Sequence, residues 1–516
     1  MAKKAVIHPA PHKYSSQLIH FDGSTYQGSI RAFAIINPIS YAILSQFISQ
    51  HWTQITDIFK LSGNSSNVPK FPPKISDAGR AFAPNTVLAK KSSQERLASG
   101  FPLIVHMDIS RFYGSIYTHT IPWAVLGKEK AKSLFKAKKL DSEWSSRLDL
   151  FVRNSNERQT VGIPIGPDTS RIISELILSR LDRQISSSGK KIKSSRFIHG
   201  IDDYQFGAMS QVEVEEIQAK FSLELRDFEL RPNDRKTFVN SGLAFAPVHW
   251  EHMFDELGGS KGAALVEHFF DVLYEIMKEN PDSNVAGYSL KRFAKPLAKS
   301  PVKELVLQYL QRFLFAVPHL ARWVLPLLLG LSTVVGLTKD SRRLLDWGIE
   351  ISCRRGDVVN LLWFLYARIF LKLGITAKQA EECFSLSSPL IDLSLEHMRV
   401  LGLNKMPLSK VRSRYSSSSF ADREWLMLYE MQAKGWDVTV PFDAIGSSTD
   451  TEQLFHYLKS ESVSFYDAST PTIASFSDWK FSADDFASIE TASLESALAK
   501  FSRTLAMGST YFEDYE

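Results

Sequence analysis

Three aspartates are the residues of this sequence best placed to do chemistry. Asp108 closes the short apolar run FPLIVHMDI, and Asp202 and Asp203 stand side by side between FIHGI and YQFG. The apolar run predicts a buried strand, and the aspartate pair predicts a turn between two strands. Three carboxylates at adjacent strand ends can hold two divalent ions ~3.5–4 Å apart, a pair that serves phosphoryl transfer. Because every donor is an oxygen, we expect Mg²⁺, with Mn²⁺ as the alternative.

Each aspartate also has an ordinary structural interpretation. An aspartate at a strand end is usually a cap or turn residue, and Asp-Asp is common in exposed turns. The adjacent pair Asp484 and Asp485 has no apolar strands beside it and is interpreted as a helix start. The functional hypothesis therefore depends on the combination, and it requires that residues 108, 202 and 203 converge at one edge of a sheet.

Two glycines in GIPIGPDTSRIISELILSRLD form a further candidate. Gly162 and Gly166 bracket a proline ahead of a helical pattern. They would let the backbone approach a base or a sugar closely. The alternative is an ordinary entry from a loop into a helix, with Pro167 in the first turn.

The elements around these residues indicate an α+β half followed by a helical half. A helix is expected after Pro38, and strands alternate with helices between residues 101 and 245. Residues 260–435 read almost purely as helices, which favours an irregular α-solenoid or a compact helical bundle. Four divisions are predicted. They are an N-terminal region at residues 1–100, an α+β core at 101–250, a helical domain at 251–440 and an acidic C-terminal segment at 441–516.

Composition limits the class of protein. Of 516 residues, 44% are hydrophobic and 23% are charged, which excludes disordered, collagen-like and disulfide-framework proteins. Only Cys353 and Cys383 are cysteines, which excludes a cysteine-rich zinc module and favours the cytoplasm. The apolar stretch at 323–337 is shorter than a membrane span and contains Pro326, so we expect a buried, kinked helix and no membrane.

Charge is unevenly distributed along the chain. Residues 1–250 carry 33 Lys and Arg against 22 Asp and Glu, whereas residues 251–516 carry 28 against 34. A basic half beside an acidic half indicates a polyanion-binding module, although ordinary surface scatter gives the same totals.

Four motifs in order resemble the palm of a reverse transcriptase. MDISRFYGSIYTHTIPWA is similar to the first palm motif, GIPIGPDTSRIISELIL to the second, GIDDYQF to the third, and LRPNDRKTF to the fourth. They cover roughly residues 100–240. Together with the helical half, they resemble the bacterial abortive-infection and defence-associated reverse transcriptases. The implied fold is a polymerase fingers–palm followed by an α-helical repeat domain in place of a thumb.

The resemblance implies an enzyme of phage defence, an RNA-directed DNA polymerase that adds dNTPs. It implies that the protein is a cytoplasmic homo-oligomer that binds RNA and makes single-stranded DNA. Synthesis would be protein-primed, untemplated, or directed by a partner noncoding RNA. The alternative is a non-catalytic RNA-binding scaffold that keeps a polymerase-like palm. An intron-type or retron enzyme is disfavoured by the helical half.

The resemblance also implies roles for single residues. Asp108, Asp202 and Asp203 would bind the metal, together with the backbone carbonyl of Ile109. Lys236 would protonate or neutralise the leaving pyrophosphate, and its alternative is a solvated surface lysine.

The nucleotide contacts implied by the resemblance come from other parts of the chain. Tyr113 would be a steric gate against the 2′-hydroxyl, and its alternative is a core tyrosine. Lys90, Lys91 and Arg96 are candidates to bind the triphosphate, or form a plain solvated face.

Two positions depart from the family pattern. Ile165 stands where the second motif usually has Gln, which weakens the inference of templated base-pair sensing. Gly200 opens the third motif where an aromatic residue is usual, which puts primer grip and fidelity in doubt. The aspartate pair itself is intact.

Overall fold

The computed structural model describes residues 10–24, 30–66, 68–69, 87–187, 192–243, 253–254, 257, 261–279, 285–415, 418–437 and 450–469. The chain divides into two compact units, which are residues 1–18 with 36–248 and residues 19–35 with 249–516. The first unit therefore runs across the predicted division at residue 100. Most of the predicted acidic segment, including Asp484 and Asp485, lies outside the described residues.

The first unit contains nine helices and a four-stranded sheet within its described residues. Its helices are α1 Pro38–Gln50, α2 Trp52–Phe59, α3 Val87–Gly100, α4 Phe112–Ser115, α5 Thr120–Leu126, α6 Lys128–Lys136, α7 Trp144–Asn154, α8 Asp168–Ser187 and α9 Gln211–Asp227. Its strands are β3 Leu103–Asp108, β4 Phe197–Gly200, β5 Asp203–Ala208 and β6 Phe238–Ser241. Three short 3₁₀ turns lie at Leu140–Ser142, Ser194–Arg196 and Asp234–Lys236.

Local sequence signals account for several helix starts. The helix predicted after Pro38 is α1, and the side chain of Asn37 accepts a hydrogen bond from the Ile39 amide at its first turn. Ser210 caps α9 in the same way by accepting from the Glu213 amide. These caps satisfy amides that have no partner inside the helix.

The sheet has the strand order β4-β5-β3-β6, with every neighbouring pair antiparallel. Tyr204 and Phe206 of β5 point to one face, where their rings lie 4.7 and 5.4 Å from the ring of Phe221 in α9. Gly207 points to the other face, where a Cβ atom would lie 2.1 Å from the ring of Phe101. Helix α9 therefore covers one face of the sheet, and Phe101, which follows α3, covers part of the other.

The second unit contains eleven described helices and one β-hairpin. The helices are α10 Gly262–Glu279, α11 Val285–Lys299, α12 Lys303–Ala316, α13 Ala321–Val335, α14 Lys339–Arg355, α15 Val358–Phe370, α16 Ala377–Ser385, α17 Pro389–Val400, α18 Leu408–Tyr415, α19 Trp425–Ala433 and α20 Asp450–Ser460, with a 3₁₀ turn at Pro318–Leu320. Helices α11, α13, α15, α17 and α19 contact one another in series, and so do α10, α12, α14 and α16. Two layers built in this way are typical of an α-solenoid.

The apolar stretch predicted to be a buried helix is α13. Pro326 lies inside it, and the residues from Val324 to Ser332 are buried. Residues 318–335 are long and apolar enough to cross a membrane, but 61% of this window is buried inside the protein, as in the core helix of a globular unit. Cys353 of α14 and Cys383 of α16 are free thiols whose Sγ atoms lie 3.6 Å apart.

The hairpin was not predicted from the sequence. Strands β1 Ile19–Ser24 and β2 Ile30–Ile35 are antiparallel, and Phe21 stacks on Phe33 at 5.6 Å. A Cβ atom at Gly23 would lie 2.9 Å from Val359 of α15, and Ser24 donates a hydrogen bond to Asp357. The chain is thus α+β and mostly helical, in agreement with the predicted class.

Candidate active site

The structure brings the three predicted carboxylates together. Asp108 is the last residue of β3, and Asp203, the first residue of β5, is its register partner. Asp202 lies in the turn between β4 and β5. One carboxylate oxygen from each of the three residues lies within 4.8 Å of the other two. Asp108 is buried, Asp202 is half-buried and Asp203 is exposed, so the cluster opens toward solvent on one side.

A tight turn places Asp202 in this cluster. Gly200 pairs with Asp203, so only Ile201 and Asp202 connect the two strands. Ile201 has a φ of +58°, a left-handed conformation that is uncommon for a β-branched residue. The amide of Ile109 donates to the carbonyl of Asp202 at 3.1 Å and ties the turn to the end of β3. Coordination of a metal by the Ile109 carbonyl stays a prediction.

The loop that follows α9 supplies two further groups to Asp108. The side-chain amide of Asn233 donates to Asp108 Oδ1 at 2.7 Å, and its backbone amide donates to the Asp108 carbonyl at 2.8 Å. Lys236 Nζ lies 3.1 Å from Asp108 Oδ2 although 61% of its side chain is exposed. Asn233 was missing from the predicted site, and its position three residues before Lys236 in LRPNDRKTF was the available signal.

The charges of the site are strongly coupled. Burial, and after it the negative charges of Asp203 and Asp108, together raise the pKa of Asp202 to about 7. Burial alone would lower the pKa of Lys236, but the charge of Asp108 and its hydrogen bond to the ammonium raise it. A carboxylate that resists ionisation beside two others marks a place where a cation is favoured. The donor set therefore suits a hard divalent ion bound through oxygen.

The two glycines of the second motif have local structural roles. Gly162 has a φ of +87°, and a Cβ atom there would lie 3.3 Å from the carbonyl oxygen of Gly114. Its amide donates to the Ile116 carbonyl at 2.8 Å, so the loop pairs with the segment that follows Asp108. Gly166 has a φ of +130° shortly before α8 begins. Contact of either glycine with a base or sugar stays a prediction.

The predicted nucleotide-binding residues lie in different surroundings. Tyr113 is buried, and its hydroxyl is 3.1 Å from the hydroxyl of Ser174. Arg96 lies on the exposed side of α3, whose Leu97 packs toward Ile104 of the sheet. Lys90 and Lys91 belong to the same helix, but their side chains are outside the described part of the chain. The gate role of Tyr113 and the triphosphate contact of Arg96 stay predictions.

Comparison with known proteins does not extend this picture. Neither a protein-family model nor a curated protein matches the chain. The described residues of the site offer three convergent carboxylates, an amide that fixes the most buried of them, and the largely exposed ammonium of Lys236.

Proposed function

We propose that this protein is a metal-dependent nucleotidyltransferase that polymerises dNTPs. The observation that carries the proposal is the convergence of Asp108, Asp202 and Asp203 at the end of two paired strands. When bound there, Mg²⁺ or Mn²⁺ would supply the Lewis acid that activates an attacking hydroxyl and stabilises the leaving pyrophosphate. The ordered resemblance of four motifs to a reverse transcriptase palm supports the same reaction class.

The chain's own groups have distinct tasks in this proposal. The three carboxylates hold the cations, and Asn233 keeps Asp108 in one orientation through its 2.7 Å hydrogen bond. Lys236 reaches the carboxylates from an exposed position, so its ammonium can turn toward a triphosphate and neutralise the pyrophosphate that leaves. Priming by a protein hydroxyl, by a nucleic-acid end, or with a noncoding RNA template is compatible with this arrangement.

The finer architecture belongs to the same proposal. The antiparallel sheet with its carboxylates at a hairpin turn would be the palm, and the two-layered helical unit would take the place of a thumb. We propose RNA and single-stranded DNA as partners, a homo-oligomeric state, a cytoplasmic location and a role in phage defence. These features come from the family resemblance.

Incorporation of labelled dNTPs by the purified full-length protein tests the proposal. The assay uses Mg²⁺ or Mn²⁺, with and without co-purified nucleic acid, and resolves products on denaturing gels before and after protease. We expect incorporation by the wild-type protein and a loss of at least about 100-fold when Asp202 and Asp203 are both changed to Asn, because two metal ligands are removed.

The matched control is Asp141→Asn, which removes an exposed carboxylate from the turn Leu140–Ser142 of the same unit. It is expected to leave incorporation unchanged. Absence of incorporation by the wild-type protein with either metal would count against the enzyme. Phage protection that survives in the Asp202/Asp203 double variant would favour the scaffold that binds RNA without catalysis.

A further inference from the structure

A buried polar cluster lies directly behind the turn that carries Asp202 and Asp203. Its centre is Asp182 of α8, whose carboxylate accepts from Tyr204 at 2.8 Å and from Ser62, and lies 2.9 Å from His199 Nε2. Asp182, His199 and Tyr204 are each only 1% exposed to solvent. Together with Ser62 they form what we call the Asp182 cluster.

The geometry fixes the protonation of His199. Its Nε2 faces the Asp182 carboxylate, and its Nδ1 lies 3.0 Å from the carbonyl oxygen of Ile201. Both partners are acceptors only, so both ring nitrogens must donate, and the ring is an imidazolium. Its ring also stacks on that of Tyr204 at 4.6 Å, which holds the imidazolium in one plane.

A buried ion pair of this kind is a poor device for stability alone. The free energy needed to remove two charges from water is about as large as the free energy gained from their attraction. Apolar residues of similar volume therefore often stabilise a core equally well. The cluster is therefore better explained by what the second donor of His199 holds. That group is the Ile201 carbonyl, which belongs to the peptide leading directly into Asp202.

The turn needs such an anchor because its backbone is in an unfavourable conformation. Ile201 is β-branched with a φ of +58°, and a residue of this kind persists there only when its surroundings enforce it. His199 holds the peptide before Asp202, and the Ile109 amide holds the peptide after it. The two hydrogen bonds fix Asp202 from both sides.

We propose that His199 is a positioning residue, which as an imidazolium anchored by Asp182 holds the Ile201 carbonyl and so fixes Asp202 and Asp203 for binding a divalent metal. This inference rests on the proposed metal-dependent function. Its consequence is that metal affinity depends on a side chain that does not touch the metal, in the manner of outer-shell groups that orient ligands.

Two substitutions separate the two hydrogen bonds of the ring. His199→Asn keeps a donor near the position of Nδ1, whereas His199→Gln keeps one near the position of Nε2 and loses the bond to Ile201. Binding of Mn²⁺ to the full-length protein is measured by titration calorimetry, and folding by thermal unfolding without metal. We expect Mn²⁺ affinity to fall about tenfold in the Gln variant, the value of one hydrogen bond to a charged group, and less in the Asn variant.

A control addresses generic damage. His397→Gln alters a buried histidine of the second unit, whose Nδ1 lies 2.8 Å from the Tyr466 hydroxyl. This variant is expected to bind Mn²⁺ within about twofold of the wild type, whatever its melting temperature, because it shares no partner with the Ile201 carbonyl.

The outcomes separate this inference from the proposed function. Equal Mn²⁺ affinity in wild type and the Gln variant, or equal losses in the Asn and Gln variants, overturns the positioning role even if dNTP incorporation is observed. If the wild type binds Mn²⁺ and the Gln variant binds it more weakly, but no dNTP is incorporated, the positioning role stands and the polymerase does not. Absence of Mn²⁺ binding by the wild type overturns both.

Discussion

Raising the pH from 6.5 to 9 should destabilise the first unit through His199. Burial alone would lower the pKa of this histidine, but the charge of Asp182 and its hydrogen bond raise it from 6.5 to about 9. Below pH 6.5 the ring is protonated in both the folded and the unfolded chain, so its contribution to stability is fully present. As the pH rises through 9 the folded protein loses the proton, and the contribution disappears.

The size of this effect follows from the difference between the two pKa values. One pKa unit corresponds to ~1.36 kcal/mol, so the shift corresponds to on the order of 3 kcal/mol in the free energy of unfolding. Histidines that the fold keeps neutral act in the opposite direction, and only near the lower end of this window. Burial lowers the pKa of His106, His319 and His397 to about 4, so all three are neutral in the folded protein, while their unfolded forms lose their remaining protons just above pH 6.5.

Pulse proteolysis in urea at several pH values between 6.5 and 9 measures the effect. Peptides from β4 and β5 report on the first unit separately from the second, which is needed because a chain of two units does not unfold in one step. The quantity of interest is the difference in the free energy of unfolding between the wild type and His199→Gln. Titrating groups far from residue 199 cancel in this difference, whereas Asp182 and Glu175, whose charges act on His199, do not. We expect this difference to shrink by about 1 kcal/mol or more per pH unit.

A parallel loss of stability in the two proteins would refute the reasoning. It would mean that His199 has the same protonation state folded and unfolded, and that one of its two close contacts is not a hydrogen bond donated by the ring.

Three further predictions concern other parts of the chain. Asn233→Ala should lower dNTP incorporation by about tenfold or more, because Asp108 loses a hydrogen bond to a charged group, and kinetics at saturating dNTP check this. Gly162→Ala should destabilise the first unit by about 1–3 kcal/mol in urea unfolding, and by more than Gly127→Ala, because both glycines have a φ near +88° but only Gly162 meets a backbone oxygen. Hydrogen peroxide should convert the neighbouring thiols of Cys353 and Cys383 to a disulfide with loss of two hydrogens, which mass spectrometry after differential alkylation detects.

The parts of the fold that the sequence predicted are those with a strong local signal. The apolar run ending at Asp108 is β3, the aspartate pair lies at a hairpin turn, and the helical patterns after residue 260 are helices. The order of strands and the approach of Asp108 to Asp203 needed the additional assumption that both strand ends share one sheet edge. The motif order supplied that assumption.

The parts that were missed depend on partners far apart in sequence. Asn233 bonds to a residue 125 positions away, and only its place in the fourth motif, three residues before Lys236, pointed to it. His199 reads as a polar residue in a strand until Asp182 is placed beside it by α8. Tyr113 looks the same in the sequence whether its hydroxyl faces a nucleotide or, as in the structure, Ser174.

The hairpin β1–β2 has a consequence for the order in which the protein can be completed. Its strands occupy positions 19–35, yet they belong with helices that begin after residue 249, and Ser24 bonds to Asp357, 333 positions later. A ribosome therefore releases these strands long before their partner helix exists. The hairpin therefore lacks its partner helix while the whole first unit is synthesised. Contacts between residues so distant in sequence form late, and this slows folding.

The same connectivity limits how the protein can be divided. A single cut near residue 249 yields one fragment that carries a hairpin without its helices and another that lacks the strands packed on Val359. Neither fragment is a complete unit, so the two parts are to be dissected by point substitution within the whole chain.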